Sequence, residues 1–162
     1  MNEHTEALLL DVVERVKTAI RAQDCPAIVV LDGRPRVILS DYDYLRDDTT
    51  ARAFELRAAE KAKETGATRW ALAVPMVWLI TEHSIATRPV SNLPLREGEQ
   101  EVIMWTTGDL NEGVDYGRVP YTRRPDSTPA FDGPEIVTIA LRPTRSTVGS
   151  VLLHVLTVDS RT

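Results

Sequence analysis

The chain of 162 residues contains one cysteine, Cys25, and three histidines. A single thiol cannot close an intramolecular disulfide, and no Cys/His grouping has zinc-ligand spacing. That is the pattern of a protein from a reducing compartment, and a cytoplasmic location is expected. Phosphate-cradling loops are missing, since neither G-x-G-x-x-G nor the P-loop pattern occurs, and no serine sits in a G-x-S-x-G context. No H-x-x-x-H or D-x-D-x-D-G arrangement is present, so neither a metal nor any other cofactor is expected. Basic residues are the minority, 19 against 24 acidic, leaving a net charge of −5 and a pI near 5.2. This balance removes the electrostatic footprint of a general nucleic-acid binder. Long hydrophobic runs are absent as well: Trp70 to Thr81 falls short of the ~20 apolar residues of a bilayer span. The opening residues Met1 to Glu6 carry no positive segment, so no signal peptide or lipidation is expected. Lysine is scarce too, with 3 Lys beside 16 Arg, a usage typical of a GC-rich bacterial genome.

What remains is ordinary globular material, 43% apolar and 27% charged, sized for a single domain spanning 1–162. Leu9, Val12, Val13, Val16, Ala19 and Ile20 recur at helical spacing between Thr5 and Gln23. Two β-type runs, Ala27 to Leu31 and Val37 to Leu39, flank the hairpin signal Asp32-Gly33, and Pro35 restricts the second run to an edge or bulge. Thr49 to Gly66 predicts a second helix closing on glycine. Arg69 to Thr81 alternates apolar residues on both faces, as a strand buried on both sides does, with Pro75 predicting a bulge in its middle. Ile85 to Val90 and Glu101 to Thr107 complete an expected antiparallel meander. The segment 108–133 has four Gly, three Pro and no apolar run, and is expected to be a long loop. Glu135 to Leu141 predicts a strand and Thr147 to Val158 a helix. Strands that cluster rather than alternate with helices favour an α+β fold: a mainly antiparallel curved sheet of five or six strands with two or three helices on one face. Residues 1–48 could form a helix-hairpin subunit of that domain, since Asp47-Asp48-Thr49-Thr50 is a polar break.

Residues 7–46 carry a helix, then Pro26-Ala27-Ile28-Val29-Val30-Leu31-Asp32-Gly33-Arg34-Pro35-Arg36-Val37-Ile38-Leu39-Ser40, then Tyr44-Leu45. This stretch resembles the N-terminal half of Phd/YefM-type antitoxins. The resemblance implies a dimerising unit that binds operator DNA, with Arg15, Lys17, Arg34 and Arg36 as the candidate phosphate contacts. Charge points the other way: residues 1–48 hold six basic and ten acidic side chains, the wrong sign for a polyanion. No family is recognised for residues 49–162.

Within 108–133, Tyr116 and Tyr121 offer rigid amphipathic surface, and Arg118, Arg123 and Arg124 offer planar donors suited to carboxylate or phosphate. Together with Asp115 they form the candidate binding site of a non-catalytic domain that takes a small anionic molecule or an acidic protein partner. The competing expectation pairs these arginines with Asp109, Glu112, Asp115 and Asp126 in a loop that only packs across the sheet. An enzyme reading would use His83 or Asp115 as proton acceptor beside Tyr121 in one cleft. Cys25 reads as an inert thiol, and His4 and His154 lie away from any such cleft. Trp70, Trp78 and Trp105 are expected in the core, with a tryptophan-lined pocket or a homodimer through that apolar face as the other uses.

Overall fold

A computed structural model describes residues 1–82, 84–91, 93–137 and 148–159. The first helix, α1 (Glu3–Arg21), starts where the Asn2 side chain accepts the Thr5 N–H, and buries Leu8, Leu9, Val12, Val13, Val16 and Ile20 along one stripe. β1 (Ala27–Leu31) and β2 (Val37–Asp41) form the expected hairpin, joined through residues 32–36 with Pro35 in the connection. α2 (Asp48–Thr65) is capped by the Asp47 carboxylate on the Thr50 N–H and stops at Gly66, whose φ of 67° is the left-handed conformation that glycine adopts without strain.

Five strands follow: β3 (Arg69–Ile80), β4 (Ile85–Pro89), β5 (Glu99–Asp109), β6 (Gly113–Arg123) and β7 (Pro129–Phe131). The two-residue β8 (Glu135–Ile136) and α3 (Ser150–Asp159) complete the chain. All pairings are antiparallel in an eight-stranded curved sheet, ordered β2-β1-β3-β5-β6-β7, with β4 beside β3 and β8 beside β6. The protein is α+β, as its pattern predicts. The expected strand over Glu135 to Leu141 is seen only as β8, its part from 138 on lying outside the described residues, as does Thr147 at the start of the expected last helix.

Four expectations are corrected. The helices divide between the two faces of the sheet: α1 covers Ala71, Ala73, Ile103, Trp105 and Val119, while α2 and α3 cover Trp70, Leu72, Val74, Val102 and Met104. The reason is the double-sided apolar alternation of β3 and β5, which leaves two faces to bury. β3, β4 and β5 do not form the expected meander, because β4 and β5 lie on opposite sides of β3. Pro75 makes no bulge, and the register Val74↔Met104, Pro75↔Ile103, Met76↔Val102 runs through it unbroken. Arg69 C=O accepts from Asp32 N–H, so odd-numbered residues of β3 direct their N–H and C=O away from β5. At Pro75 that side is the gap between the start of β1 and the end of β4. The imide nitrogen therefore sits where no ladder bond is required.

The fourth correction concerns 108–133, which is a long β-hairpin and not a loop: β5 and β6 pair from Asp109↔Gly113 to Val102↔Pro120. Two of its four glycines serve packing. A Cβ at Gly108 would collide with the Trp70 indole and one at Gly117 with the Trp105 indole, so each tryptophan lies across a bare stretch of neighbouring strand. Pro120 accepts from Asp132 N–H through its carbonyl, so its imide nitrogen also faces away from β5. All three tryptophans are at most 1% exposed and lie on opposite faces, Trp70 and Trp78 under α2 and α3, Trp105 under α1. They form neither a common pocket nor an apolar face open to a partner.

Candidate functional site

Strand length creates the cleft. β3, with 12 residues, is about 40 Å long, whereas α1, with 19, reaches only about 28 Å, so part of the α1-side face has no helix above it. Val77, Glu101, Tyr121 and Arg123 share the strand parity of that face and continue the rows that α1 covers through Ala73, Ile103 and Val119. Beyond Arg21 the result is a cleft of 1320 Å³, walled by the end of α1, by Val90, Ser91, Leu93, Pro94 and Leu95, and by the turn 124–128 between β6 and β7.

On its floor, Arg123 Nε donates to both Glu101 oxygens (3.0 and 3.3 Å) and Nη1 reaches Ser127 O (3.4 Å). Burial works against the charge on Arg123, but the Glu101 carboxylate reverses this and raises its pKa. Tyr121 is buried with its ring against Phe131 at 5.2 Å, and its carbonyl accepts from Gln100 Nε2. Burial and then Glu101 push the Tyr121 phenol up, so it stays protonated. Tyr121 Oη has no hydrogen-bond partner among the described residues. Cys25 borders the same floor. Burial raises its thiol, Arg123 opposes this, and Glu101 and Asp24 raise it further. The thiol form is favoured, opposite to what a nucleophile requires.

At the rim, Arg88 holds Glu99 through a two-nitrogen contact, and that bond lowers the Glu99 pKa. Arg21 lies 5.3 Å over the Phe131 ring. Arg124 closes the turn by its backbone, N–H to Thr128 O and O from Ser127 N–H, both at 2.8 Å. Among the described residues neither Arg21 nor Arg124 forms an ion pair. Leu93 and Leu95, 69% and 46% exposed, give the opposite wall an apolar edge.

Of the six candidate residues, the structure brings Tyr121, Arg123 and Arg124 to this cleft and separates the others. Arg118 is five positions from Arg123 along one strand and so points to the opposite face, where Glu135 holds it at 3.0 Å and it lies 5.8 Å from the Trp78 ring. Tyr116 shares that face, half-buried, with burial raising its phenol. Asp115 is on the α1 side but about 20 Å along the strand from Tyr121, beside the Met1 amino group at 3.5 Å, so the two cannot share an enzyme cleft. The His83 expectation falls outside the described residues, and the internal ion pairs of Arg118 and Arg123 involve Glu135 and Glu101. Sequence reasoning missed Arg21, Cys25, Arg88 and Glu101. Glu101 carried a signal: it has the parity of the buried Ile103 and Trp105, and a carboxylate on a core-facing row requires a cation.

The class is an α+β protein with a two-sided helical cover and an open polar cleft beyond one helix end. Neither a protein-family model, nor a curated protein, nor a solved structure matches the chain.

Proposed function

We propose that the protein is a non-catalytic binding domain whose cleft takes an anionic partner, a small carboxylate-bearing molecule or the acidic segment of another protein. One observation carries this reading: the cleft carboxylates Glu101, on the floor, and Glu99, at the rim, are already held by Arg123 and Arg88, while Arg21 and Arg124 stand at the rim without an ion pair among the described residues. A guanidinium without a carboxylate presents a planar fork to a visiting one. Leu93 and Leu95 would cover the apolar part of the ligand.

DNA binding through the antitoxin-like segment is less favoured, since Arg15 is paired with Asp11, Lys17 with Glu14 and Arg36 with Asp32. A thermal-shift titration with citrate, inorganic phosphate and a Glu-rich peptide tests the cleft. A probe at ~100 times its dissociation constant adds ~2.7 kcal/mol of stability. The shift should vanish in the double variant Arg21→Ala/Arg124→Ala, with the circular dichroism unchanged. No shift with any probe, or a shift that survives both substitutions, overturns the proposal.

A further inference from the structure

The strands at the two ends of the order β2-β1-β3-β5-β6-β7 are protected unequally. β7 is three residues long and begins with a proline, whereas β2 is the five-residue Val-Ile-Leu-Ser-Asp, and its single charge, Asp41, is tied inward to Arg57 at 3.0 Å. Prolines, charges and brevity are the usual devices that keep a sheet edge from pairing with another chain, and β2 has little of them. The alternation fixed by the Asp32–Arg69 bond directs Val29 and Leu31 toward β2, so Val37, Leu39 and Asp41 bond to β1. Ile38 and Ser40 are left with their N–H and C=O groups pointing outward.

Beside this edge runs a groove of 220 Å³ between β2 and α2, lined by Leu39, Phe54, Arg57, Glu60, Lys61 and Glu64. The last four sit at i, i+3, i+4 and i+7, a single stripe on the outer flank of α2. The contacts Arg57–Asp41 and Arg34 N–H to Thr65 O show that α2 runs antiparallel to β2. From Asp41 to Leu39 is about 7 Å of strand, equal to four or five residues of helix, which sets Leu39 level with Glu60 and Lys61.

We propose that β2 pairs with β2 of a second copy of this chain, antiparallel, about a two-fold axis at Leu39. Ile38 then exchanges both backbone hydrogen bonds with Ser40 of the second copy, and Ser40 with its Ile38, so every outward group of the two residues is used. The same axis lays the α2 stripes side by side in opposite directions, Arg57 against Glu64 of the second copy and Glu60 against its Lys61. Each cross-pair is of opposite charge, although nothing in the β2 backbone requires it. An axis midway between Arg57 and Lys61, or between Glu60 and Glu64, would oppose like charges, whereas the axis at Leu39 pairs all four residues of the stripe, and an isologous contact must match itself in this way.

Sedimentation velocity on the full chain from ~1 to ~100 µM should show a monomer–dimer equilibrium. Ser40→Pro removes an N–H that the chain does not use internally, and should give a monomer with unchanged circular dichroism. Lys61→Glu should weaken the dimer about tenfold, and the swap Glu60→Lys/Lys61→Glu, which restores opposite charges across the axis, should recover it. A chain that is monomeric throughout, or a dimer unmoved by Lys61→Glu and by Ser40→Pro, overturns the proposal. Because the charge variants lie on an exposed helix flank, they keep the test decisive if Ser40→Pro fails to fold.

Discussion

Arg123 and Arg124 are adjacent in sequence and have different physical roles. Arg123 neutralises Glu101, a carboxylate that is 90% shielded at its side chain, whereas Arg124 forms no ion pair among the described residues and acts only through its charge on the exposed Asp126, whose carboxylate is held low first by its bonds from Thr128. Removing the first leaves a shielded charge unpaired, which costs about 2 kcal/mol, while removing the second changes stability by less than about 0.5 kcal/mol. Urea denaturation of Arg123→Ala and Arg124→Ala should show this contrast, and equal midpoints would contradict it. The arginine cluster was readable in the sequence as chemistry but not as geometry. A strand assignment for 113–123 would have put Arg118 and Arg123 on opposite faces at once. Gly117 and Pro120 concealed the strand, since their reasons for being there, the Trp105 indole and the outward imide, exist only in three dimensions.

Between elements, the joint of α2 and α3 is a single carboxylate. Glu55, 3% exposed, accepts from Tyr44 Oη at 2.8 Å and from Leu152 N–H at 3.2 Å, so one side chain binds both the connection between β2 and α2 and the first turn of α3. Burial raises its pKa, and the bonds from Tyr44, Leu152, Gly149 and Val151 counter this only in part. The folded protein therefore holds the Glu55 proton more firmly than the unfolded chain does. The stability from this group is complete below the ordinary glutamate range and is lost as pH rises through the raised value. Glu55→Gln cannot ionise, so its stability relative to wild type should increase from pH 4 to pH 7 in paired denaturation curves. A difference independent of pH would show that the carboxylate titrates as it does in the unfolded chain. Elements whose signal is local were legible: α1, the hairpin, α2 with its glycine stop, and β3 lie within a few residues of their expected bounds. Strand order was not legible, because the pairing of β3 with both β4 and β5 depends on which edge each returning strand reaches.

For the molecule as a whole, residues 1–41 are built into one sheet with the rest. α1 roofs Ala71, Ala73, Ile103, Trp105 and Val119, and β1 is bonded along β3. A chain beginning at Asp47 should fail to show a cooperative thermal transition, as it would expose that apolar row. A sharp transition with native-like tryptophan emission would instead make the helix and hairpin dispensable.

The open cleft has its origin in a mismatch of reach, a roof beam shorter than the floor beneath it. Two more turns on the first helix would shut this recess while leaving the strand residues of its floor unchanged. Accessibility here is thus governed by where a backbone stops, and a longer Ala22–Cys25 junction would narrow the opening while Glu101, Tyr121 and Arg123 stayed in place.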